Sequence, residues 1–240
     1  MRGVLFIVGP TATGKSEIAA GVAHAINAEI VSADAFQIYR GLDLLSAKPD
    51  ANIRASVPHH LIGTMSIYEE MNAEKFRRLA SNAIAEIHAR GKVALIVGGS
   101  GLYIKALTHG LTANWKKVDA NPPGIFVLRE RDELYARINQ RVEKMFETGV
   151  IEEVRASGAM SSTASKMIGL REIREWIDGK MSILQCIAQI QQATRRYAKR
   201  QLTWFRHQTS FESLNLSLLT YKEAAERITR RASLLDRAKG

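Results

Sequence analysis

A glycine-rich segment near the N-terminus has the residue types and spacing of a phosphate-binding loop. It follows the apolar run 4–8 and precedes an amphipathic stretch, 15–26, which is the strand–loop–helix context of such loops. Backbone N–H groups in this arrangement point into one concavity at a helix N-terminus, where the helix dipole favours negative charge. Lys15 adds a positive charge for phosphate oxygens, and the Ser16 hydroxyl is a ligand for Mg²⁺. The predicted phosphate or diphosphate site comprises Gly9, Pro10, Thr11, Ala12, Thr13, Gly14, Lys15 and Ser16.

An aspartate, Asp34, lies just beyond the predicted second strand, 29–32. At the edge of a parallel sheet that also holds the phosphate loop, a carboxylate can bind Mg²⁺ or accept a proton from a nucleophile. A role in a turn or as a helix N-cap is equally consistent with the sequence. Position alone leaves both interpretations of Asp34 open.

The apolar run 93–97 ends in Gly98, Gly99 and Ser100, where an ATP-hydrolysing P-loop enzyme normally carries an acidic residue. This argues against ordinary ATP hydrolysis and leaves a small-molecule kinase as an alternative. Arg129 and Arg131 could resemble the arginines of a kinase lid, or they could lie in the solvated start of a helix.

Apolar runs alternate with amphipathic stretches along the chain, which predicts an α/β fold. Runs that are apolar throughout indicate a P-loop NTPase-like parallel sheet flanked by helices on both faces, with ligands at the carboxyl ends of the strands. A helical C-terminal part follows the sheet. The predicted strands are 4–8, 29–32, 93–97 and 125–128, and the predicted helices before the C-terminal part are 15–26, 71–89 and 132–147.

The composition of the chain indicates its number of domains, its compartment and the charge of its partner. With 240 residues, 46% of them hydrophobic, the chain can bury a full core as a single domain, 1–240. The single cysteine, Cys186, excludes a disulfide framework and favours the cytoplasm. We expect no membrane span and no signal peptide, since no long uninterrupted apolar stretch exists. The net charge of +10 favours a polyanionic partner.

The segment 193–206 is strongly basic and contains aromatic residues. On a helix, Arg195 and Lys199 would share one row, and Arg196 and Arg200 another. Such charge runs usually form a solvated face, but positive rows interleaved with aromatics are also what single-stranded RNA recognition requires. On such a helix, one mostly apolar face is approximated by Ile183, Ile187, Ile190, Tyr197, Gln201 and Trp204.

Several segments together resemble the tRNA dimethylallyltransferase (tRNA isopentenyltransferase) family. The similarity extends from Phe6 to about His207, and the last segment is much more specific than the phosphate loop alone. The principal segments are GPTATGKS from Gly9, VSADAFQIYRGLDLLSAKP from Val31, VGGSGLYIKAL from Val97 and ATRRYAKRQLTWFR from Ala193. Shorter matches are PHHLI from Pro58, LYARINQRVEKMFETGVIEEV from Leu134 and MIGLREI from Met167.

The resemblance implies transfer of a dimethylallyl group from dimethylallyl diphosphate to N6 of the adenosine next to the tRNA anticodon, position 37. The phosphate loop would then hold the prenyl diphosphate, with Mg²⁺ on Ser16; we expect ATP to bind weakly there without hydrolysis. The resemblance assigns the general-base role to Asp34, and Lys15 and Arg137 would stabilise the leaving diphosphate. Thr11 and Ser100 match family positions that line the substrate channel.

The resemblance also implies a set of RNA-binding residues that would contact the anticodon stem-loop, in a protein we expect to be a monomer. The set falls in four segments of the chain. Its members are Asp34, Ala35, Phe36, Gln37, Ser100, Met167, Ile168, Gly169, Leu170, Arg171, Lys199, Arg200, Gln201, Leu202, Thr203, Trp204, Phe205 and Arg206.

The chain also departs from the family pattern. Ala35 stands where the family usually has serine, Leu45-Ser46 where it has Gly-Thr, and Leu170 where it has tyrosine. The family carries a helical insert domain, which grips the anticodon arm, where only residues 112–124 bridge the gap here. The sequence thus indicates a short form of the enzyme.

Three alternatives remain at this point. An adenylate isopentenyltransferase, which prenylates free AMP, ADP or ATP, also lacks the insert, but it would not require the basic segment 193–206. A small-molecule kinase would use the loop for ATP. A catalytically inactive RNA-binding remnant would need neither Lys15 nor Asp34.

Overall fold

The computed structural model describes residues 3–110 and 123–237. Its centre is a six-stranded, wholly parallel sheet in the order β3-β2-β4-β1-β5-β6, which confirms the predicted fold class. The strands are β1 (Val4–Val8), β2 (Ala28–Ser32), β3 (His59–His60), β4 (Val93–Gly98), β5 (Gly124–Leu128) and β6 (Glu212–Asn215). The helices are α1 (Lys15–Ala25), α2 (Ala51–Ser56), α3 (Ala73–Ala89), α4 (Gly101–His109), α5 (Arg131–Glu147), α6 (Val150–Ser157), α7 (Leu170–Ile177), α8 (Ile183–Gln208) and α9 (Tyr221–Arg237).

The middle strands are buried on both faces, as their continuous apolar sequences predict. β1 lies between β4 and β5, with Val8 opposite Gly98 and Phe126. Alternate residues of each strand enter opposite cores, because successive side chains point to opposite faces. Phe6 and Val8 therefore join one core, whereas Leu5 and Ile7 join the other.

Two edge strands, β3 and β6, were not predicted from the sequence. They contain two and four residues, and neither has a buried apolar run. Each adopts its strand conformation by pairing with the adjacent strand: β3 pairs with β2, and β6 pairs with β5. The predicted strands and helices are otherwise confirmed with shifts of one or two residues at their ends; for example, α3 begins after Asn72, whose side chain accepts a hydrogen bond from the Lys75 amide.

The C-terminal part is dominated by α8, a helix of 26 residues. A capping box begins it: Ser182 accepts from the Gln185 amide while Gln185 accepts from the Ser182 amide. The residues of α8 that are most buried form a row beside the mostly apolar face described from the sequence. Ile183, Ile187, Tyr197 and Trp204 are only half-buried, and the buried residues are Cys186, Ile190, Ala198, Gln201 and Phe205.

No helix among residues 3–110 and 123–237 is long and apolar enough to cross a membrane. Most of the segment 112–124, where the family's insert domain would lie, falls outside the described residues. That the whole chain forms one domain stays a prediction.

Candidate active site

The phosphate loop joins β1 to α1 at the carboxyl edge of the sheet. Gly9 has φ of +155°, and a Cβ atom there would lie 2.2 Å from the Val127 carbonyl oxygen, so only glycine fits. Gly14, with φ of +94°, begins α1 in a left-handed conformation. Ala12 also has a positive φ, +64°, a conformation that non-glycine residues hold only where their surroundings enforce it.

Lys15 is folded back onto the loop. Its Nζ donates to the Pro10 carbonyl oxygen at 2.6 Å. The pKa of Lys15 is lowered to about 7, chiefly because the side chain is enclosed away from water; the nearby Asp34 opposes this shift, and Arg141 contributes to it. An anion bound beside Lys15 would stabilise the charged form of this side chain.

Arginines from α5 and the loop before it surround the phosphate loop. Arg137 Nε donates to the Ala12 carbonyl oxygen at 2.9 Å, and Arg129 Nε donates to the Thr13 carbonyl oxygen at 2.9 Å. Arg129 thus braces the loop, while Arg131 is exposed over the Tyr135 ring. Arg131 therefore lies in the solvated start of α5, whereas Arg129 contacts the backbone of the phosphate loop.

Arg141 is a site residue that the sequence reasoning missed. It donates to Thr11 Oγ1 at 3.0 Å and to the Ala47 carbonyl oxygen at 3.2 Å. Burial lowers the pKa of Arg141, with Arg137 adding to this and Asp34 opposing it. Its spacing from Arg137 is i,i+4 on α5, which places both on one helix face and could have identified it.

Asp34 serves as a turn residue, one of the two roles that the sequence left open. Its Oδ1 accepts hydrogen bonds from the amides of Phe36, at 2.9 Å, and Gln37, at 3.3 Å, which is the arrangement of a turn residue. Both bonds use the same oxygen. Oδ2 is therefore the atom suited to accept a proton from a bound nucleophile.

Two cavities meet at Asp34. The first, which we call the anion cavity, has a volume of about 510 Å³ and is lined by Lys15, Ser16, Arg137 and other polar groups. The second, the apolar pocket, has a volume of about 70 Å³ and is lined largely by apolar side chains. The two share the residues Thr11, Asp34, Ser46, Ala47 and Arg141.

Glu153 is a second residue that the sequence reasoning missed. It holds the segment 44–47, whose residues 45–47 contribute to the cavity linings. Glu153 on α6 accepts from the amides of Leu44, at 2.9 Å, and Leu45, at 2.8 Å, one with each carboxylate oxygen. The Leu45 side chain lines the apolar pocket. Because 108 residues separate the partners, no local pattern could indicate this contact.

Of the residues predicted to bind RNA near the reacting groups, Phe36, Met167 and Ile168 line the apolar pocket, and Gln37 lines the anion cavity. Gly169, with φ of +94°, begins α7 and lies against Leu45. Outside the linings of both cavities are Ala35, which packs on the core, Ser100, which is buried at the start of α4, and Arg171, which is exposed and paired with Glu172.

The outer face of α8 forms a groove, which we call the basic groove. It is lined by exposed side chains between Arg196 and Gln208 together with half-buried Trp204. The Trp204 ring packs on Gly101, where a Cβ atom would lie only 2.4 Å from the indole. The residues of the basic groove are Arg196, Lys199, Arg200, Thr203, Trp204, His207 and Gln208.

Three of the residues predicted to contact RNA are buried: Leu170, Gln201 and Phe205. Gln201 also lines the anion cavity. That these residues contact RNA stays a prediction. Phe205 packs against Phe126 of the sheet, and Gln201 bonds the phosphate loop. Leu202 is half-buried against the core, and Arg206 is exposed. A helix that carries RNA-binding side chains must also bury one face, and the basic motif alone does not say which residues face inward.

The fold and the site define a P-loop protein in which a cavity lined by cationic and polar groups lies beside an apolar pocket, with a carboxylate between them. More particularly, the chain belongs to the IPP transferase family, whose model matches residues 37–123 and 114–208. The two matched segments overlap at 114–123, the place where the family's insert domain would be expected.

Individual relatives support this assignment. A tRNA dimethylallyltransferase from Oenococcus oeni is 40% identical over 221 residues, covering 85% of each chain. The tRNA dimethylallyltransferase 1 of Citrifermentans bemidjiense is 36% identical over 270 residues, covering 84% of this chain and 88% of the relative. An alignment longer than this chain of 240 residues means that the second relative carries residues missing here.

A solved structure is also similar. The full-length tRNA isopentenylpyrophosphate transferase of Bacillus halodurans superposes with a TM-score of 0.88 at 29% sequence identity. The superposition covers 97% of this chain and 96% of the other.

Proposed function

We propose that this protein is a tRNA dimethylallyltransferase, which transfers a dimethylallyl group from dimethylallyl diphosphate to N6 of the adenosine at position 37. One observation carries the proposal: Asp34 lines both the anion cavity and the apolar pocket. A prenyl diphosphate has one highly charged end and one apolar end. The atom that reacts, C1, lies where the two ends join, and the acceptor must be deprotonated at that point.

The proposed donor site divides the substrate between the two cavities. The diphosphate lies in the anion cavity, where the loop amides, Lys15, Arg137 and Arg141 stabilise the charge that grows as it leaves. The five-carbon group extends into the apolar pocket between Leu45, Ile138 and Met167. A kinase would need no apolar pocket at this position, so the pocket favours a prenyl donor over ATP.

Asp34 acts as the general base in this proposal. The exocyclic amine of adenine is a poor nucleophile, because its lone pair is delocalised into the ring. As N6 attacks C1, the C1–O bond to the diphosphate breaks, and the N6 proton passes to the Asp34 carboxylate. A base in this position accelerates such a step by typically ~10²–10⁴-fold.

The residues present fit a magnesium ion at the diphosphate. Mg²⁺ prefers oxygen ligands, keeps several waters and binds through substrate phosphates with one or two protein ligands. The Ser16 hydroxyl lines the anion cavity and would be the protein ligand. When bound, Mg²⁺ would neutralise part of the diphosphate charge.

The basic groove is the proposed contact surface for the anticodon stem-loop. Lys199 and Arg200 would contact backbone phosphates, and Trp204 offers a ring for base stacking. The target adenine must leave its stack to reach Asp34, past Phe36, Met167 and Ile168. We further propose that the protein acts as a monomer in the cytoplasm, where its RNA substrate is found.

The test uses labelled dimethylallyl diphosphate and Mg²⁺, with bulk tRNA or AMP offered in parallel reactions. We expect label in tRNA. Label only in AMP would indicate an adenylate isopentenyltransferase, and ATP consumption without prenyl transfer would indicate a kinase. Either result would overturn the proposal. Digestion of the labelled tRNA to nucleosides would show whether the label lies on adenosine.

A further inference from the structure

Gln201 is a polar residue on the inner face of α8, with a side chain that is 5% exposed. Its two functional groups bind two different loops. Oε1 accepts from the Thr11 amide at 2.9 Å, and Nε2 donates to the Gly99 carbonyl oxygen at 2.9 Å. The first of these partners is 190 residues away in sequence, and the second is 102 residues away. One amide therefore joins α8 to the loops that follow β1 and β4.

The site is built for an amide. The side chain of glutamine carries an NH2 group that donates and a carbonyl oxygen that accepts, and each loop presents the group complementary to one of them. Glutamate in place of Gln201 would set a carboxylate oxygen against the Gly99 carbonyl, while leucine would leave the Thr11 N–H and the Gly99 C=O without partners in a buried place. A Cβ atom at position 99 would lie 2.2 Å from Gln201 Nε2, so glycine there admits the side chain.

The hydrogen bond to Gln201 fixes the orientation of the Thr11 backbone amide. Because its N–H is bound to Gln201, this amide faces α8 rather than a diphosphate. The Thr11 hydroxyl accepts from Arg141, and Thr11 lines both the anion cavity and the apolar pocket together with Asp34. Fixing the Thr11 backbone thus fixes a hydroxyl at the junction where the transfer is proposed to occur.

We propose that Gln201 is a positioning residue, which holds Thr11 at the junction of the two cavities and thereby aligns the donor with Asp34. This inference rests on the proposed function. Gln201 lines the anion cavity but not the apolar pocket. Both of its polar side-chain atoms bond the loops, so it acts through Thr11. The diphosphate is held mainly by Lys15, the α5 arginines and the loop after Thr11, so its affinity depends little on Gln201.

The test compares Gln201→Leu with Gln192→Leu, an exposed glutamine of the same helix. We expect Gln201→Leu to lower the single-turnover rate of prenyl transfer ~10–100-fold, with the dissociation constants for inorganic pyrophosphate and tRNA changed less than threefold. Gln192→Leu should match the wild type in all three. A Gln201→Leu rate within threefold of the wild type would overturn the inference.

A double-mutant cycle with Thr11→Val separates positioning from general stabilisation. If Gln201 acts through Thr11, adding Gln201→Leu to Thr11→Val should lower the rate less than threefold further. Losses that multiply would contradict the inference. Thermal unfolding of each variant shows whether a rate loss reflects unfolded protein.

Hydrogen exchange provides a readout that does not depend on the reaction. In Gln201→Leu, exchange in a peptide covering residues 9–16 should accelerate at least tenfold, while peptides from α3 stay unchanged. If the wild-type protein transfers no label, the proposed function fails. Unchanged exchange in the phosphate loop would then still show separately that Gln201 does not hold Thr11.

Discussion

Two charged clusters lie at opposite edges of the same parallel sheet, and they are arranged in opposite ways. At the carboxyl edge, Lys15, Arg137 and Arg141 donate to backbone carbonyls or to a hydroxyl, all of them neutral acceptors. At the amino edge, Glu29 accepts from His60, Arg90 and Lys92. The cations at the carboxyl edge are thus suited to bind the proposed anion, whereas the Glu29 carboxylate at the amino edge is already paired with cations.

The pKa shifts agree with this contrast. Burial lowers the pKa of Lys15 to about 7, since no full counter-charge offsets the loss of water. The pKa of Glu29 falls to about 2, chiefly because Arg90 hydrogen-bonds its charged form, with His60 and Lys92 adding to the effect against the cost of burial. Charge number alone therefore does not identify a ligand site; the partners of the charges do.

The largest effect should come from the carboxylate at the carboxyl edge. Asp34→Asn keeps an oxygen for the amides of Phe36 and Gln37, so the turn survives, but it removes the proton acceptor. We expect single-turnover prenyl transfer to fall ~10²-fold or more, with tRNA and pyrophosphate binding changed much less. Asp178→Asn, at an exposed aspartate, is the matched control. Rates within threefold of the wild type would leave Asp34 only its role in the turn.

Lys15 should show the next largest effect, on anion affinity. Lys15→Met should weaken pyrophosphate binding ~10–100-fold near neutral pH, as expected for a lost charge-assisted contact. The advantage of the wild type over Lys15→Met should be greatest below pH 7. It should shrink as pH rises, because neutral Lys15 must then take up a proton on binding.

Calorimetric titrations of both proteins across pH 6–9 test this, since the titration of pyrophosphate itself cancels in the ratio of affinities. A ratio independent of pH would contradict the lowered pKa of Lys15. Lys180→Ala, at an exposed lysine paired with Asp178, should bind pyrophosphate like the wild type.

The contrast between the two edges also shows what the sequence could predict. The strand–loop–helix of residues 4–25 and the position of Asp34 depend on local geometry, and both were predicted from neighbouring residues. Arg141, Glu153 and Gln201 act on segments about 90 to 190 residues away, and their partners are set by how α5, α6 and α8 pack. The short edge strands were missed for the same reason, because pairing with a neighbour, not their composition, defines them.

At the amino edge we expect an effect on stability alone. Glu29→Gln replaces the carboxylate that pairs with His60, Arg90 and Lys92 by a neutral amide. Because Arg90 and Lys92 are partly solvated, we expect the free energy of unfolding to fall by only about 1–3 kcal/mol. Pyrophosphate affinity should not change.

The pH dependence follows from the lowered pKa of Glu29. Its stabilising contribution is fully present above about pH 4.5 and is lost as pH falls towards 2. Urea unfolding at pH 7 and pH 3 should therefore show a smaller difference between wild type and Glu29→Gln at pH 3. Glu69→Gln, at an exposed carboxylate paired with Lys75, is the control, and we expect a much smaller change in the free energy of unfolding. Equal losses in the two variants would remove the distinction between the buried cluster and an ordinary surface pair.

The smallest effect should come from a third arrangement of charge, the exposed cations of the basic groove. Water already solvates Lys199 and Arg200, so each contributes mainly by releasing counterions from RNA phosphates. Replacing both with glutamine should weaken tRNA binding modestly and flatten the plot of log K against log salt by roughly 1.4–1.8. The matched control replaces Arg227 and Arg230, two exposed cations of α9, and removes the same net charge. Titrations of tRNA across 50–200 mM salt compare the two double variants. If both flatten the plot equally, the net charge of the protein attracts the RNA and the basic groove has no special part; if only the first does, the groove is the surface that contacts phosphates.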